Sequence, residues 1–165
     1  VLTRLRPIEV RTLIASGGIH VSMFHLDPRP LLDRKIVLWA IDLPSSFNEP
    51  RIDMARRARR LLDEVNAPRP DVVVGDFNMD RNSAAVRALF PDMVDAWSEA
   101  GSGFSASYHR VLPLWDIDHV LLGEGLKAVS SVRVDPGIGR HRMQVVGLVT
   151  PTASTPTVDP APPGN

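Results

Sequence analysis

The sequence predicts a mixed α/β domain with more strand than helix. Residues 35–43, KIVLWAIDL, and 71–76, DVVVGD, are nearly continuous apolar runs of strand length, the pattern of strands covered on both faces. Between them, Ile52, Ala55, Ala58, Leu61, Leu62 and Val65 recur at helical spacing and form one apolar stripe. Elsewhere, short segments alternate apolar and polar residues with the period of two expected of half-covered strands.

Each element follows in order. IEVRTLI (8–14) and IHVSMFHL (19–26) alternate on either side of a Gly17-Gly18 turn. DPRPLLD carries two prolines and reads as a loop. The central helix has Asn48 or Glu49 near its cap and Pro50 in its first turn, and Asn66 and Pro68 stop it. Arg56, Arg57, Arg59 and Arg60 lie opposite the apolar stripe and read as a solvated face. DVVVGDFN (71–78) is a short buried strand. SAAVRALF and DMVDAWSEAG read as two short helices, the second closed by Gly101. GSGFSASYHRVLPLW is a loop, and residues 116–123, 126–134 and 143–150 read as strands. The domain therefore spans 1–150, followed by a Pro- and Thr-rich tail at 151–165 with no apolar period, expected to be disordered.

Composition narrows the function classes. The formal net charge is +0, so no global field favours nucleic acid or an anionic membrane. There is no cysteine, which excludes disulfides, thiolate zinc sites and cysteine nucleophiles. No apolar run approaches the roughly 20 residues of a membrane span. The start, VLTRLRPIEVRTL, lacks the apolar core and cleavage site of a signal peptide, and it begins with Val1 rather than Met.

The chemistry gathers at three places. The run VVVGDFN ends on Asp76 and Asn78, two positions apart on extended backbone and so on one side of it. A carboxylate there can bind a metal or accept a proton from water, and a carboxamide can orient a water or an oxyanion. The structural alternative is an Asx turn, with Asn82 or Ser83 capping the next helix. Asp118, in WDIDHVLL, is a carboxylate inside an apolar strand and needs a partner, ordinarily Arg or His. His141, after the glycine-bearing loop of GIGRHRMQVV, is a candidate partner, and an aspartate beside it would orient its ring.

In combination and in this order, GDFN, IDHVLL and the final His resemble the C-terminal part of the endonuclease/exonuclease/phosphatase superfamily, which has the DNase I-like fold. IVLWAIDLPSS and GFSAS, where the family often carries Gly-x-Thr, extend the likeness through most of residues 19–149. The resemblance implies a four-layered α/β sandwich, of which this chain would be the C-terminal part only. It implies a metal-dependent phosphoesterase, with Mg²⁺ or Mn²⁺ offsetting phosphate charge and water attacking in line. Asp76 and Asn78 would position and activate the water, with Asp76 also contacting metal. His141, held by Asp118, would bind or protonate the phosphoryl group. The substrate would be a phosphate ester: nucleic acid, lipid head group or small molecule. A membrane-associated or exported protein, through a missing N-terminal region, is the localisation that some bacterial relatives suggest.

Three departures from the family pattern stand out. The family's N-terminal Asn and metal-binding Glu have no counterpart; Glu9 and Glu49 sit in other contexts. Asp42 stands where the family usually has a catalytic His, and could bind metal or water but not donate as imidazolium. His20 and His25 lie on the preceding strand, at odd spacing to replace that His; His25, at a strand end before LDPRP, is the better candidate, and a structural role is expected for it. Arg140 replaces the Asp of the final Ser-Asp-His; a guanidinium there repels a divalent ion but could clamp phosphate through two hydrogen bonds. The competing expectations are a catalytically degenerate module that keeps the fold, or an incomplete fragment that self-associates through an exposed sheet.

Overall fold

The computed structural model describes residues 5, 7–15, 17–46 and 48–151. The tail expected to be disordered lies, from residue 152 onward, outside them. In chain order the elements are β1 (Pro7–Ala15), β2 (Ile19–Leu26), β3 (Ile36–Asp42), α1 (Arg51–Glu64), β4 (Val72–Asp76), α2 (Ala84–Leu89), β5 (Val94–Asp95), α3 (Ala96–Ala100), β6 (Gly101–Ser102), β7 (Asp118–Leu122), β8 (Lys127–Val134) and β9 (Met143–Val149). They form a six-stranded sheet, β1-β2-β3-β4-β7-β5, and a three-stranded sheet, β6-β8-β9.

The two apolar runs pair side by side. β3 and β4 are parallel, and α1 makes the crossover that a parallel pair requires. Side-chain parity then divides the large sheet into two buried faces. Odd-numbered positions, among them Trp39, Ile41, Val73, Phe77 and Leu121, pack against Met54, Ala55, Ala58 and Leu62 of α1 and against α2. Even-numbered Val72, Val120 and Leu122 pack with Ala96, Leu126 and Ala128 toward the small sheet. Helices, large sheet and small sheet thus stack as layers around two cores, and β3 and β4 read as continuous apolar runs because both their faces are covered.

Local chemistry sets the ends of the helices. Pro50 occupies the α1 N-cap position with no side-chain cap, and Glu49 instead pairs with Arg57 at 2.7 Å. Asn66 adopts φ +48 after the helix, a left-handed turn that asparagine tolerates. Arg56 and Arg59 pair with Asp53 and Asp63 of their own helix, as a solvated face does. Ser83 caps α2 by accepting from the Val86 N–H. Ser83→Ala is expected to lower stability by about 1 kcal/mol, and an unchanged urea midpoint would contradict the cap.

The helix expected over 92–101 is shorter than the pattern suggests. Val94 and Asp95 pair with Leu122 and Leu121 of β7, and only then does α3 begin. Asp95 is its N-cap, accepting from Ser98 N–H at 2.8 Å, so the helix cannot extend upstream. The strand expected from 116 begins at Asp118, because Asp116 turns its carboxylate toward Arg81 and Arg133.

Candidate active site

Strand register assembles the site before any loop is considered. Asp42 of β3 is the pairing partner of Asp76 of β4, and Asp76 is the partner of Asp118 of β7. On the other side, His20 of β2 is the partner of Asp42. The four residues form one row across four adjacent strands, at the end where β3 and β4 finish and β2 and β7 begin. All four are even-numbered and so face away from α1. Like charges directly opposite on neighbouring strands repel, so three carboxylates in a row form a site that favours a cation.

Gly75 explains the tight approach of these strands. It has φ +144, and a Cβ there would sit 1.9 Å from the Ile41 carbonyl oxygen. Only glycine lets β4 deliver Asp76 beside Asp42.

Asp76 carries the electrostatic signature of the row. Burial holds its carboxyl above the ordinary aspartate value, and the charges of Asp118 and Asp42 push the same way. The backbone N–H of Asn78, donating to Asp76 Oδ1 at 2.8 Å, and the nearby His141 oppose the rise. The net direction is upward: this carboxylate lacks full compensation from the protein's own groups.

His141 is fixed from several directions. Its Nδ1 hydrogen-bonds Asp118 Oδ2 at 2.8 Å, while Nε2 lies 3.9 Å from Asp76 Oδ2. The Tyr108 ring stands against it, centroids 5.0 Å apart. Asp118 is itself anchored through its backbone, its N–H donating to the buried Ser107 hydroxyl at 3.2 Å and its carbonyl accepting from Arg133 at 2.6 Å. One ligand atom each from Asp76, Asp118 and His141 lies within 4.8 Å of the others, a grouping that could hold a metal ion.

Asn78 lies at the cleft and in the turn that the structural alternative expects, through its backbone bond to Asp76. Its side-chain Nδ2 donates to the Leu43 carbonyl at 2.7 Å and ties the end of β4 to the end of β3. The residue sits at φ +50.

The row opens into a cleft of about 1140 Å³. Arg140 and His141 line one side, supplied by the loop before β9, and His20, Asp42 and Arg51 line another. Arg110 pins that loop by donating to the Gly139 carbonyl and to Asp135, while its own N–H donates to the Arg140 carbonyl at 2.6 Å. Phe104, Leu114 and Trp115 face the same cleft, each more than half exposed.

Arg81 and Asp116, which line the cleft, belong to a largely buried ionic cluster that no sequence motif announced. Asp116 accepts from both Arg81 and Arg133, and the Trp97 ring lies within 5.7 Å of both guanidinium carbons. Arg133 is 2% exposed on β8, so it carries the small sheet's position to the backbone of Asp118. Its alternating context, SVRV, looks like any half-exposed strand. His119, in the same IDHV stretch, is buried and bonded to the Met79 carbonyl at 2.7 Å. Burial lowers its pKa, and it holds the turn after GDFN rather than facing the cleft.

The structure therefore brings Asp42, Asp76, Asn78, Asp118, Arg140 and His141 to one place. It reverses the ranking of the two histidines on β2. His20 lines the cleft beside Asp42, whereas His25 pairs with Val37 and lines a separate small cavity with Glu9 and Lys35. Odd and even positions leave the sheet on opposite faces, and the spacing along β2 alone does not show which is which.

Comparison with known proteins agrees with this geometry. The family model described as the Endonuclease/Exonuclease/phosphatase family matches residues 1–155. Among curated proteins, none matches. A mannosyl-6-phosphatase of Bacteroides thetaiotaomicron superposes with TM-score 0.63 at 14% identity, covering 88% of this chain and 67% of that one. The D. rerio TDP2 structure with a single-strand DNA product gives TM-score 0.60 at 15% identity, covering 88% and 68%. The human Nocturnin catalytic domain with bound sulfate gives 0.57 at 14% identity, covering 88% and 60%. The chain thus spans about two thirds of the length of these structures, and it shares their DNase I-like fold. By its family match the chain belongs to the endonuclease/exonuclease/phosphatase family.

Proposed function

We propose that this chain carries the water-activating half of a divalent-metal-dependent phosphoesterase. The observation that carries the reading is the register row of Asp42, Asp76 and Asp118 with His141 held over it. Asp76 accepts the proton of the attacking water, which bonds to phosphorus as the in-line P–O ester bond breaks and the departing oxygen takes a proton from solvent. Asn78 and Asp76 position that water. His141, oriented by Asp118, donates from Nε2 to a phosphoryl oxygen, and Arg140 clamps a second oxygen of the same phosphate.

The donor set fits Mg²⁺ or Mn²⁺. Carboxylate oxygens are hard ligands, and Asp76 has a charge left uncompensated. Asp76 would hold the ion, with the Asp118 oxygen that His141 leaves free and with Asp42, its register neighbour, completing the carboxylate set. When bound, it supplies charge neutralisation at the phosphate. Calorimetric titration of the whole protein with Mn²⁺ is expected to give saturable binding that Asp76→Asn abolishes. Absence of binding heat in the wild type would remove the metal from the account.

Two features bear on the substrate. One structural neighbour is a mannosyl-6-phosphatase and another holds a single-strand DNA product, so the family alone does not choose. Exposed Phe104, Leu114 and Trp115 beside the phosphate position, together with zero net charge, favour an ester with an apolar organic part over a polyanionic backbone. Among the described residues no helix is long and apolar enough to cross a membrane.

A further inference from the structure

We propose that His20 is a second imidazole donor to the substrate phosphate, serving from β2 the wall of the cleft where Asp42 cannot donate. The inference rests on the phosphoesterase reading and adds to it a residue that the reading does not use.

The need is electrostatic. A phosphate approaching this cleft meets three carboxylates in a row, and its oxygens require donors on every side. Arg140 and His141 both come from the loop before β9 and so serve one wall. The opposite wall presents Asp42, which in its ionised form only accepts, and Arg51, whose guanidinium is engaged by the Pro44 and Ser45 carbonyls.

Two independent observations place His20 there. Its pairing partner across β2 and β3 is Asp42, the end of the carboxylate row. Directly opposed residues on one sheet face have Cβ atoms roughly 5 Å apart, so the His20 imidazole stands beside the Asp42 carboxylate. Its chain neighbours Ile19 and Val21 are buried in the core beside α1, which commits His20 to the cleft face. The side chain is exposed and lines the same cavity as Asp42, Asp76 and His141. Gly17 and Gly18, at φ +81 and +80, make the turn that starts β2 three residues earlier and sets this register. His25 shares the strand but not the site, and so provides an internal control.

The test uses inorganic phosphate as the probe and the whole protein, with histidine ring resonances followed by NMR. His20 and His141 are expected to shift on one common saturation curve while His25 stays fixed. His20→Gln is expected to weaken phosphate binding about tenfold, the effect of one hydrogen bond to a charged oxygen, with an unchanged thermal melt. A stationary His20 resonance while His141 moves would overturn the inference and leave the phosphate site standing. Wild-type affinity in His20→Gln would overturn it equally. If neither histidine responds, the phosphoesterase reading falls as well.

Discussion

Asp76→Asn is expected to lower turnover of a phosphate ester about a thousandfold, within the range ascribed to a positioned general base, while leaving the fold intact and more stable at neutral pH. The two effects have one cause. Burial and the charges of Asp118 and Asp42 raise the Asp76 carboxyl above its ordinary value in the folded state. A group raised in this way favours folding fully below its unfolded value, and that contribution is lost as pH rises through the folded value. At neutral pH the ionised Asp76 therefore burdens the fold. An amide of the same shape cannot ionise, and its oxygen still accepts the Asn78 N–H that Asp76 Oδ1 now accepts at 2.8 Å. With divalent ion removed, the melting temperature of the variant should exceed that of the wild type at pH 7, with the difference shrinking in acid. Catalysis moves oppositely. Only a carboxylate accepts the proton of the attacking water, and the amide of the variant cannot take its place. A variant that retains the wild-type rate would show that the proton goes elsewhere.

His141→Ala is expected to reduce kcat by about 10²- to 10³-fold, the usual cost of removing one donor aimed at developing charge, with a much smaller change in KM. The ring is placed for this and for little else. Asp118 fixes Nδ1 at 2.8 Å and Tyr108 braces the face, which leaves Nε2 toward the cleft near Asp76. Its side chain is 35% exposed, so truncation opens no core cavity and thermal stability should hold. Charge builds on the phosphoryl oxygens as the water adds, so the lost interaction is worth most in the transition state. Steady-state kinetics on the purified variant separate the two constants. An effect confined to KM would make His141 a binding group only.

Much of this site was legible because strands convert sequence into direction. The apolar runs around KIVLWAIDL and DVVVGDFN were legible as covered strands with an amphipathic helix between them, and the family likeness singled out Asp42; their parallel pairing, which sets Asp42 beside Asp76, came from the structure. IDHVLL added a third adjacent strand and Asp118. His141 was found through the need of Asp118 for a partner. What stayed hidden depends on pairing offsets and on contacts far apart in sequence. Whether His20 or His25 enters the cleft is decided by the register between β2 and β3, which no single strand's pattern contains. Arg133 and Asp116 meet across 17 residues inside a cluster closed by Trp97 and Arg81. Nothing in SVRV distinguishes that buried guanidinium from a solvated one. The 92–101 segment misled because Asp95 serves at once as a strand residue and as an N-cap, and a helical periodicity read across it runs straight through the boundary.

The central claim is hydrolysis of a phosphate ester at the row of Asp42, Asp76 and Asp118 under His141. The most direct measurement is release of p-nitrophenol by the whole protein from p-nitrophenyl phosphate and from its bis ester, with Mg²⁺, with Mn²⁺ and with a chelator. The account predicts turnover of at least one ester that the chelator removes, either ion restores and Asp76→Asn lowers about a thousandfold. Failure of both esters to turn over with either ion, or turnover indifferent to Asp76→Asn, would contradict it.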